Sequence, residues 1–375
     1  MDFAFTEQQE MLRKIARDFL ATECPKDFVR KMVQDEVGCT PELWNKMAEL
    51  GWPGLTIPEA YGGIEGSFMD IVALVEETGR ASLPGPLLSS LVGTLAILQL
   101  GSEEQKKDLL PKIASGEIIV TLAVNEPYRG HDLDTIQCQA VSDGNEYVID
   151  GVKVSVQNAH IADLLLCAAR CRHGEAKEGI DLFIVDSKDP NLNMVPIASI
   201  AGDKQYQVEL KGVRIPEDRR LGEAHRGKDQ IRRVLQSATV LKCAEMVGGA
   251  QQMMDMTVNY VKERVQFDHP IGSLQSLQHH CANMTVDLEG MKYITYLAAW
   301  RMSEGLTSDK EIAMAKAWCG EAFQRIADLA HQSHGAIGFC EDHDLPLYSK
   351  KAQSHDFTYG DALYQRRFVA KEIGL

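Results

Sequence analysis

The stretch Arg264-Val-Gln-Phe267-Asp-His-Pro270-Ile-Gly272, followed by Leu274-Gln275-Ser-Leu-Gln278, decides the fold of this chain. The sequence around it predicts a helix that ends near residue 264, a turn at Pro-Ile-Gly, and a second helix that begins at about residue 274. An arginine, an aromatic ring and several amides then lie at one helix–turn–helix corner. Such a corner is suited to an extended anionic cofactor, because cations and helix N-termini attract negative charge.

Upstream of this corner, the first third of the chain predicts helices. Thr6 is placed to cap a helix of apolar residues at helical spacing, and Pro25 ends that helix. Gly and Pro residues separate further predicted helices at about 41–50, 69–80, 86–99 and 103–114. We expect an N-terminal helical domain over 1–117.

Near residue 118 the sequence pattern changes to runs of β-branched residues separated by Asp-Gly turns. This pattern predicts a middle domain over 118–222, built as a small antiparallel barrel or sandwich. Helical patterns return over 227–264, 274–304, 309–334 and 357–373. Long helices joined by short loops favour an antiparallel four-helix bundle over 223–375. The predicted fold class is therefore α+β.

This order of blocks, and the residues of the corner, resemble the acyl-CoA dehydrogenases, flavoproteins that oxidise CoA thioesters. The resemblance covers nearly the whole chain and includes features of a bacterial branch of the family. It implies that Arg264 and Phe267 contact FAD, and that Gln275 belongs to the same binding site.

Two segments of the middle block resemble the family's flavin loops. Val124–Asp132 resembles Thr-Glu-Pro-x-x-Gly-Ser-Asp, with Asn125 and His131 at the hydroxyl positions. Gly151–Asn158 resembles Gly-x-Lys-x-Trp-Ile-Thr-Asn, with Ser155 and Gln157 at the Trp and Thr positions. The resemblance implies that these four polar residues bind the cofactor.

A third segment, Ala330–Phe339, resembles the family's Gln-x-x-Gly-Gly-x-Gly. It implies that Gln332 and Gly335 meet the adenylate end of FAD on a neighbouring subunit, where a glycine lets the backbone approach a ligand. His331 and His334 are interpreted as polar residues at a helix end, because no third metal ligand stands at a recognisable spacing. No metal site is predicted.

The catalytic base is altered at both positions that the family uses. Tyr359 stands where the usual Glu of the last helix is expected, and the alternative position on the preceding long helix is Ala238. Asp361 is the nearest carboxylate and a candidate base, although it is also placed to cap the terminal helix. Tyr359 is the other candidate, with an unperturbed phenol pKa of about 10. Glu126 and Glu245 are interpreted as structural.

The composition of the chain limits the classes of function that it is compatible with. The 39 basic and 54 acidic residues give a net charge of −15, which argues against a nucleic-acid binder. The nine cysteines lack zinc-type spacing and a disulfide framework, as expected for a reducing cytoplasm. No basic leader and no membrane-spanning apolar run is evident, so we expect a soluble cytoplasmic protein.

The resemblance implies an FAD-dependent dehydrogenase that converts an acyl-CoA to its 2,3-enoyl-CoA, as in β-oxidation, and passes electrons to an electron-transfer flavoprotein. A tetramer built from dimers is implied. Two alternatives stay open. One is a non-catalytic partner subunit of a mixed tetramer, and the other is an enoyl-CoA reductase or flavin monooxygenase with the same fold. The acyl group is not predicted.

Overall fold

The computed structural model describes residues 4–128, 130–173, 177–223 and 226–375. Across these ranges the α-helices are α1 (Glu7–Glu23), α2 (Lys26–Gln34), α3 (Pro41–Glu49), α4 (Phe68–Ala81), α5 (Leu87–Leu100), α6 (Glu103–Ala114), α7 (Gly227–Glu263), α8 (Gln275–Ser303), α9 (Asp309–His334), α10 (Leu345–Phe357) and α11 (Ala362–Glu372). The strands are β1 (Val120–Ala123), β2 (Gln139–Asp143), β3 (Glu146–Gln157), β4 (Leu164–His173), β5 (Lys177–Asp186), β6 (Leu192–Ile197), β7 (Gln205–Pro216), β8 (Arg220–Leu221), β9 (Val265–Gln266) and β10 (His269–Pro270).

The predicted fold class is confirmed: helices, then a sheet, then helices. Local signals set several helix starts. The Thr6 side chain caps α1 and pairs with Gln9 in a capping box, and Ser67 does the same with Asp70 at the start of α4. Two helices were not predicted, α2 directly after Pro25 and α10. The last helix begins later than expected, at Ala362 and not at 357.

Within the described residues, β1–β8 form one sheet in the order β6-β7-β3-β2-β4-β5-β8, with β1 also paired to β4. Most neighbours are antiparallel, as predicted, but β1 and β2 each run parallel to β4. The parallel pairs arise where the chain crosses over between non-consecutive strands. Inside the sheet, the Tyr147 and Phe183 rings lie 5.0 Å apart and help form its core.

The contacts divide the chain into two compact units. One comprises the described residues up to Lys31, Ser67–Leu83 and Thr239–Leu375, so α1 and α4 pack with the C-terminal helices. The other comprises Met32–Gly66 and Pro84–Ala238, and holds the β1–β8 sheet with α3, α5 and α6. The three sequence blocks 1–117, 118–222 and 223–375 remain a prediction about domain boundaries.

In the first unit, α4 carries a buried acidic face toward α1. Glu76 and Glu77 are nearly inaccessible, and the Arg13 guanidinium donates to Glu76 at 2.8 Å and to Glu77 at 3.1 Å. Tyr296 of α8 also donates to Glu76, at 2.5 Å. Arg13, Glu76 and Glu77 line part of a charged cavity of about 270 Å³. Of the helices in the described ranges, none is both long and apolar enough to cross a membrane.

Candidate functional site

The predicted corner between α7 and α8 is a β-hairpin. Strand β9 pairs with β10, and Gln266 faces His269 across the hairpin. Phe267 and Asp268 form its turn, with φ angles of 54° and 61°. Two left-handed residues in a two-residue loop are typical of a type I′ turn. The tight turn therefore lies at Phe267–Asp268 and not at Pro-Ile-Gly. Pro270 instead precedes a short 3-10 segment, Ile271–Ser273, that leads to α8.

This hairpin presents groups suited to a diphosphate. Phe267 is 80% exposed, and Arg264 and Gln275 are exposed on either side of it. Among the described residues, none forms an ion pair with Arg264. Helix α8 begins without a side-chain cap, since its N-cap residue is Leu274. An unpaired cation beside an uncapped helix N-terminus leaves positive charge and N–H donors available to an anion.

The end of α9 packs beside the same corner. The His334 ring stacks on Tyr260 of α7 with centroids 4.4 Å apart, and Ser333 Oγ lies 3.5 Å from His280 Nδ1 of α8. Gln332 is exposed on this segment. Gly335 has a φ of 64°, and a Cβ added there would meet no atom within 4 Å. The structure thus brings the predicted Gln332–Gly335 segment and the Arg264 corner together in one unit.

The two histidines of this segment take part in packing. His331 stacks on Phe339 at 4.5 Å, and the buried His334 ring lies with Nδ1 2.8 Å from the Ala330 carbonyl. Burial lowers the pKa of both imidazoles. Over the described ranges, no group of three or more His, Cys, Asp or Glu side chains is arranged to hold a metal ion.

The two predicted flavin loops of the middle block lie side by side in the other unit. The Val154 N–H donates to the Asn125 carbonyl at 2.9 Å. Ser155 is exposed with a φ of 53°, at a register shift of β3 against β7 between Lys153 and Val156. This bulge turns the Ser155 side chain out of the regular alternation of the strand. The structure thus places Asn125 and Ser155 next to each other.

A buried ion pair holds these loops together. Lys153 Nζ lies 2.7 Å from Glu126 Oε1, and the two side chains are 0% and 5% exposed. The Glu126 carboxylate also accepts the backbone N–H groups of Gln137 at 2.6 Å and Cys138 at 2.9 Å. The buried Glu126 carboxylate therefore has one charged partner and two hydrogen-bond donors within the same unit, which offsets the cost of its burial. Glu126 has the structural role expected of it.

The other two predicted middle-block residues lie at the ends of these loops. Gln157 closes β3, and its carbonyl accepts the Thr121 hydroxyl at 2.7 Å. The next residue, Asn158, has a φ of 53°, and its amide donates to Ser89 Oγ at 3.3 Å. His131 is partly buried and directly precedes Asp132, which caps a short 3-10 segment.

Of the two altered base positions, Tyr359 lies in a sharp turn before α11 and Ala238 lies on α7. Tyr359 has a φ of 60° and is followed by Gly360 at 96°. Asp361 is the N-cap of α11, and its carboxylate accepts the Tyr364 N–H at 2.7 Å. The capping role that the sequence allowed for Asp361 is therefore present. Ala238 is fully buried and offers no acid or base.

A cluster of buried charged side chains on α7 and α10 was not predicted. Lys242 Nζ lies 2.5 Å from Glu245 Oε2, and His355 Nδ1 lies 3.8 Å from the same oxygen. Burial alone raises the pKa of Glu245, but the charges of Lys242, His355 and Lys351 outweigh it and lower that pKa to about 2. We call these four side chains the Lys242 cluster.

A sequence signal for the cluster exists in α7. Lys242 and Glu245 are three residues apart, so they share a helix face, and the neighbouring residues Ala238–Leu241 and Cys243–Ala244 are buried. Charged residues on a buried helix are rarely without function or partner. Their connection to His355, more than 100 positions away, is visible only in the folded chain.

Comparisons with known proteins agree with this architecture. Residues 6–117, 121–213 and 225–374 match the sequence profiles of the acyl-CoA dehydrogenase N-terminal, middle and C-terminal domains. A 3-(aryl)acrylate reductase of Clostridium sporogenes is 33% identical, over 98% of this chain and 99% of that protein. The caffeyl-CoA reductase-Etf complex subunit CarC of Acetobacterium woodii is 31% identical, over 98% of each chain.

A solved structure shows the same fold. A chain of the ChsE4-ChsE5 complex from Mycobacterium tuberculosis superposes with a TM-score of 0.91 and 27% identity, covering 100% of this chain and 99% of that one. Matching profiles for all three domains and a 33% identical relative over almost the full length establish the family. This chain is a member of the acyl-CoA dehydrogenase family, oxidoreductases that act on the CH–CH bond of acyl-CoA thioesters.

Proposed function

We propose that this chain is an FAD-dependent acyl-CoA dehydrogenase that oxidises a CoA thioester to its 2,3-enoyl-CoA. The observation that carries the proposal is the hairpin between α7 and α8, where the unpaired Arg264, the exposed Phe267 and the uncapped start of α8 coincide. An exposed phenylalanine on a strained turn has no packing role within the described chain. It fits a surface that a ring system covers in the assembled protein.

The residues present suit FAD. Arg264 and the α8 N-terminus would hold the diphosphate, with Phe267 and Gln275 beside it. In the other unit, Asn125, His131, Ser155 and Gln157 are the residues that we propose for contacts with FAD. At the end of α9, Gln332 and the open backbone at Gly335 would meet the adenylate of a neighbouring subunit's cofactor. When bound, FAD supplies the acceptor for the hydride that leaves carbon 3 of the acyl group.

The reaction also needs a group that takes the proton from carbon 2. Asp361 and Tyr359 are the two candidates near the family's position. Asp361 already accepts a backbone N–H as the cap of α11. Asp361→Asn tests it without disturbing the helix, because Asn caps about as well as Asp. If Asp361 is the base, this variant keeps its FAD but loses flavin bleaching by substrate.

We further propose that electrons pass to an electron-transfer flavoprotein and that the working protein is a tetramer. One relative is a subunit of a reductase–Etf complex. The exposure of Gln332 and Gly335 at the end of α9 supports a contact with another subunit. Soluble behaviour and a cytoplasmic location remain part of this proposal.

The test is the visible absorption spectrum of the purified chain, followed by anaerobic titration with acyl-CoA thioesters. We expect a flavin spectrum close to one FAD per chain and bleaching by at least one thioester. Arg264→Met should lower FAD content, while Arg214→Met, which removes an exposed arginine of β7 (58% exposed), should leave it unchanged. Equal FAD content in the two variants would contradict the assignment of the corner.

A specific observation supports a second candidate, a non-catalytic partner subunit. Neither family base position carries a carboxylate, since one is Tyr359 and the other Ala238. A solved structure with the same fold comes from a complex of two differently named proteins, the ChsE4-ChsE5 complex. A folded but colourless chain, which gains flavin and activity only with a Glu-bearing homologue, would favour this candidate.

A third candidate, enoyl-CoA reduction on the same fold, is supported by the names of two relatives, a 3-(aryl)acrylate reductase and a caffeyl-CoA reductase subunit. This candidate would be favoured if a 2,3-enoyl-CoA reoxidises the reduced flavin faster than the saturated thioester bleaches the oxidised flavin. Both half-reactions use the same site and can be measured on one preparation.

A further inference from the structure

The charged cavity of the first unit lies between α1, α4 and α7, and its lining includes none of the residues proposed to bind FAD or substrate. Its volume is about 270 Å³. Pockets for drug-sized ligands begin at about 300 Å³, so this cavity suits a small molecule and is too small for FAD or an acyl-CoA thioester. Its charged lining consists of three arginines and three carboxylates: Arg13, Arg17, Arg80, Glu76, Glu77 and Asp255.

The two carboxylates from α4 have their oxygens engaged. Glu76 accepts hydrogen bonds from the Arg13 guanidinium at 2.8 Å on Oε1 and from the Tyr296 hydroxyl at 2.5 Å on Oε2. Glu77 accepts from Arg13 at 3.1 Å on Oε1. It also accepts from Arg17 at 2.6 Å on Oε1 and at 2.9 Å on Oε2. Each of these carboxylate oxygens therefore already has a hydrogen-bond donor.

The carboxylate from α7 is engaged in the same way. Asp255 Oδ2 accepts from Arg80 Nη2 at 2.6 Å, and Asp255 Oδ1 accepts from Gln251 Nε2 at 2.8 Å. Gln251 and Asp255 are four residues apart, so they are neighbours on one face of α7. A cation that entered the cavity would have to compete with these donors for every carboxylate oxygen.

The arginines, in contrast, keep N–H groups without an acceptor. A guanidinium carries five N–H donors. Among the residues that the structure describes, the Arg80 guanidinium donates only to Asp255, through Nη2. Over the same residues, the Arg17 guanidinium donates only to Glu77, through Nε and Nη2. The cavity lining thus has donors in excess, which fits a ligand that supplies oxygen acceptors.

Burial of Glu77 fixes part of these donors in place. The Glu77 side chain is 1% exposed and holds Arg17 through two N–H bonds. Two bonds to one carboxylate set the plane of a guanidinium, so its remaining N–H groups keep a constant direction. The Arg17 and Arg80 side chains are 50% and 25% exposed, so a ligand can reach them from solvent. Donors that are ordered before binding reduce the entropy lost when a ligand binds.

We propose that this cavity binds a small oxyanion, of the phosphate, sulfate or short carboxylate type, through the free N–H groups of Arg17 and Arg80. A guanidinium can pair with two oxygens of such an anion at once. The carboxylates of the lining do not exclude it, because each of them is already paired with an arginine. The site does not depend on the proposed dehydrogenase function.

The test is isothermal titration calorimetry of the purified full chain with sodium phosphate, sodium sulfate and sodium succinate. Each is compared with sodium chloride at the same ionic strength, because constant ionic strength separates binding at a site from general screening of surface charge. We expect saturable binding of at least one of the three oxyanions. The preferred probe distinguishes a tetrahedral anion from a carboxylate.

The variant Arg17→Gln/Arg80→Gln removes the two donor groups. It should fold, because Glu77 keeps its bond to Arg13 and the Asp255 side chain is 35% exposed. We expect its affinity for the oxyanion to fall by about tenfold or more, as for the loss of charge-assisted hydrogen bonds. Arg366→Gln is the matched control, because Arg366 lies in the same unit, is 59% exposed and also pairs with a carboxylate. Its affinity should equal that of wild type.

Asp255→Asn should change the affinity in the opposite direction. It releases Arg80 from its ion pair and removes one negative charge from the cavity wall, while the amide oxygen can still accept from Gln251. We expect oxyanion affinity to rise by about threefold or more, a gain that unfolding cannot produce. The proposal is overturned if wild type binds no oxyanion beyond chloride, if Arg366→Gln loses as much affinity as the double variant, or if Asp255→Asn shows no gain.

Discussion

Lys153 connects the two predicted flavin loops. Its ammonium group is fully buried and contacts the Glu126 carboxylate at 2.7 Å and the Val124 carbonyl at 3.3 Å. One side chain therefore joins strand β3 to the segment that carries Asn125. A buried pair of this kind does not by itself imply high stability, but removing one partner leaves the other charge without compensation.

We predict that Lys153→Met destabilises the protein by about 3–5 kcal/mol and weakens FAD binding. The Glu126 carboxylate would keep only its two backbone N–H donors, and the Asn125 loop would lose its connection to β3. The measurements are the denaturation midpoint followed by circular dichroism, and the FAD dissociation constant from flavin fluorescence.

Lys211→Met is the matched control, because Lys211 lies on β7 of the same sheet and its side chain is 74% exposed. Loss of that surface pair with Glu209 should change stability by less than about 1 kcal/mol. Equal midpoints for the two methionine variants would show that the buried pair does not hold the loops.

At the scale of elements, glycines determine how closely α4 and α7 approach. A Cβ on Gly248 would lie 1.8 Å from the Glu76 carbonyl oxygen, and one on Gly79 would lie 2.0 Å from the Glu245 carbonyl oxygen. These contacts are with backbone atoms, which cannot move aside without separating the helices. The close crossing also places Glu245, and with it Lys242, at a defined position along α7.

We predict that Gly248→Ala lowers the free energy of unfolding by about 1–3 kcal/mol or more, even though alanine favours the helix by about 1 kcal/mol. Gly249→Ala is the control on the same helix. Its Cβ would meet the edge of the Phe323 ring at 2.8 Å, a side chain that can shift. Thermal unfolding should rank Gly248→Ala below Gly249→Ala, and the reverse order would rule out the backbone contact as the cause.

At the scale of the whole molecule, buried carboxylates couple stability to pH. The Glu245 pKa of about 2 in the folded state lies below the unfolded value of about 4.3. The unfolded chain therefore binds more protons between these values, and stability falls as pH falls through this window. The contribution is fully present above about pH 5 and is on the order of 3 kcal/mol.

We predict that wild type is more stable than Glu245→Gln at pH 7 and that the difference shrinks as pH falls from 5 to 3. The reason is that the unfolded wild-type chain takes up a proton at Glu245 as pH falls through about 4.3, while the folded protein, with a Glu245 pKa of about 2, does not, so unfolding of wild type becomes progressively more favourable. Melting temperatures at pH 7, 5, 4 and 3 measure this convergence. A difference that stays constant over the series would contradict a lowered pKa for Glu245.

Much of the fold was predictable because its signals are local. Thr6 caps α1 as its position indicated, and the α7–α8 corner lies where the arginine and glutamines suggested. Local signals were also misjudged. The turn at Phe267–Asp268 lacks the Asn or Gly usual at positive φ, so the sequence points instead to a turn at the neighbouring Pro-Ile-Gly. Helix α10 was missed although Pro346 stands in its first turn, a position that proline favours.

The sequence alone determined several helix starts, the change to β-strand patterns and the position of the α7–α8 corner, because capping, periodicity and motif spacing act between positions close along the chain. Only the tertiary structure decided which charged residues are buried together. Glu245 Oε2 on α7 lies 3.8 Å from His355 Nδ1 on α10, and the strained Tyr359 lies in the turn that follows α10. Burial and Coulomb attraction depend on distance in space, and helix packing alone brings these separated residues within reach.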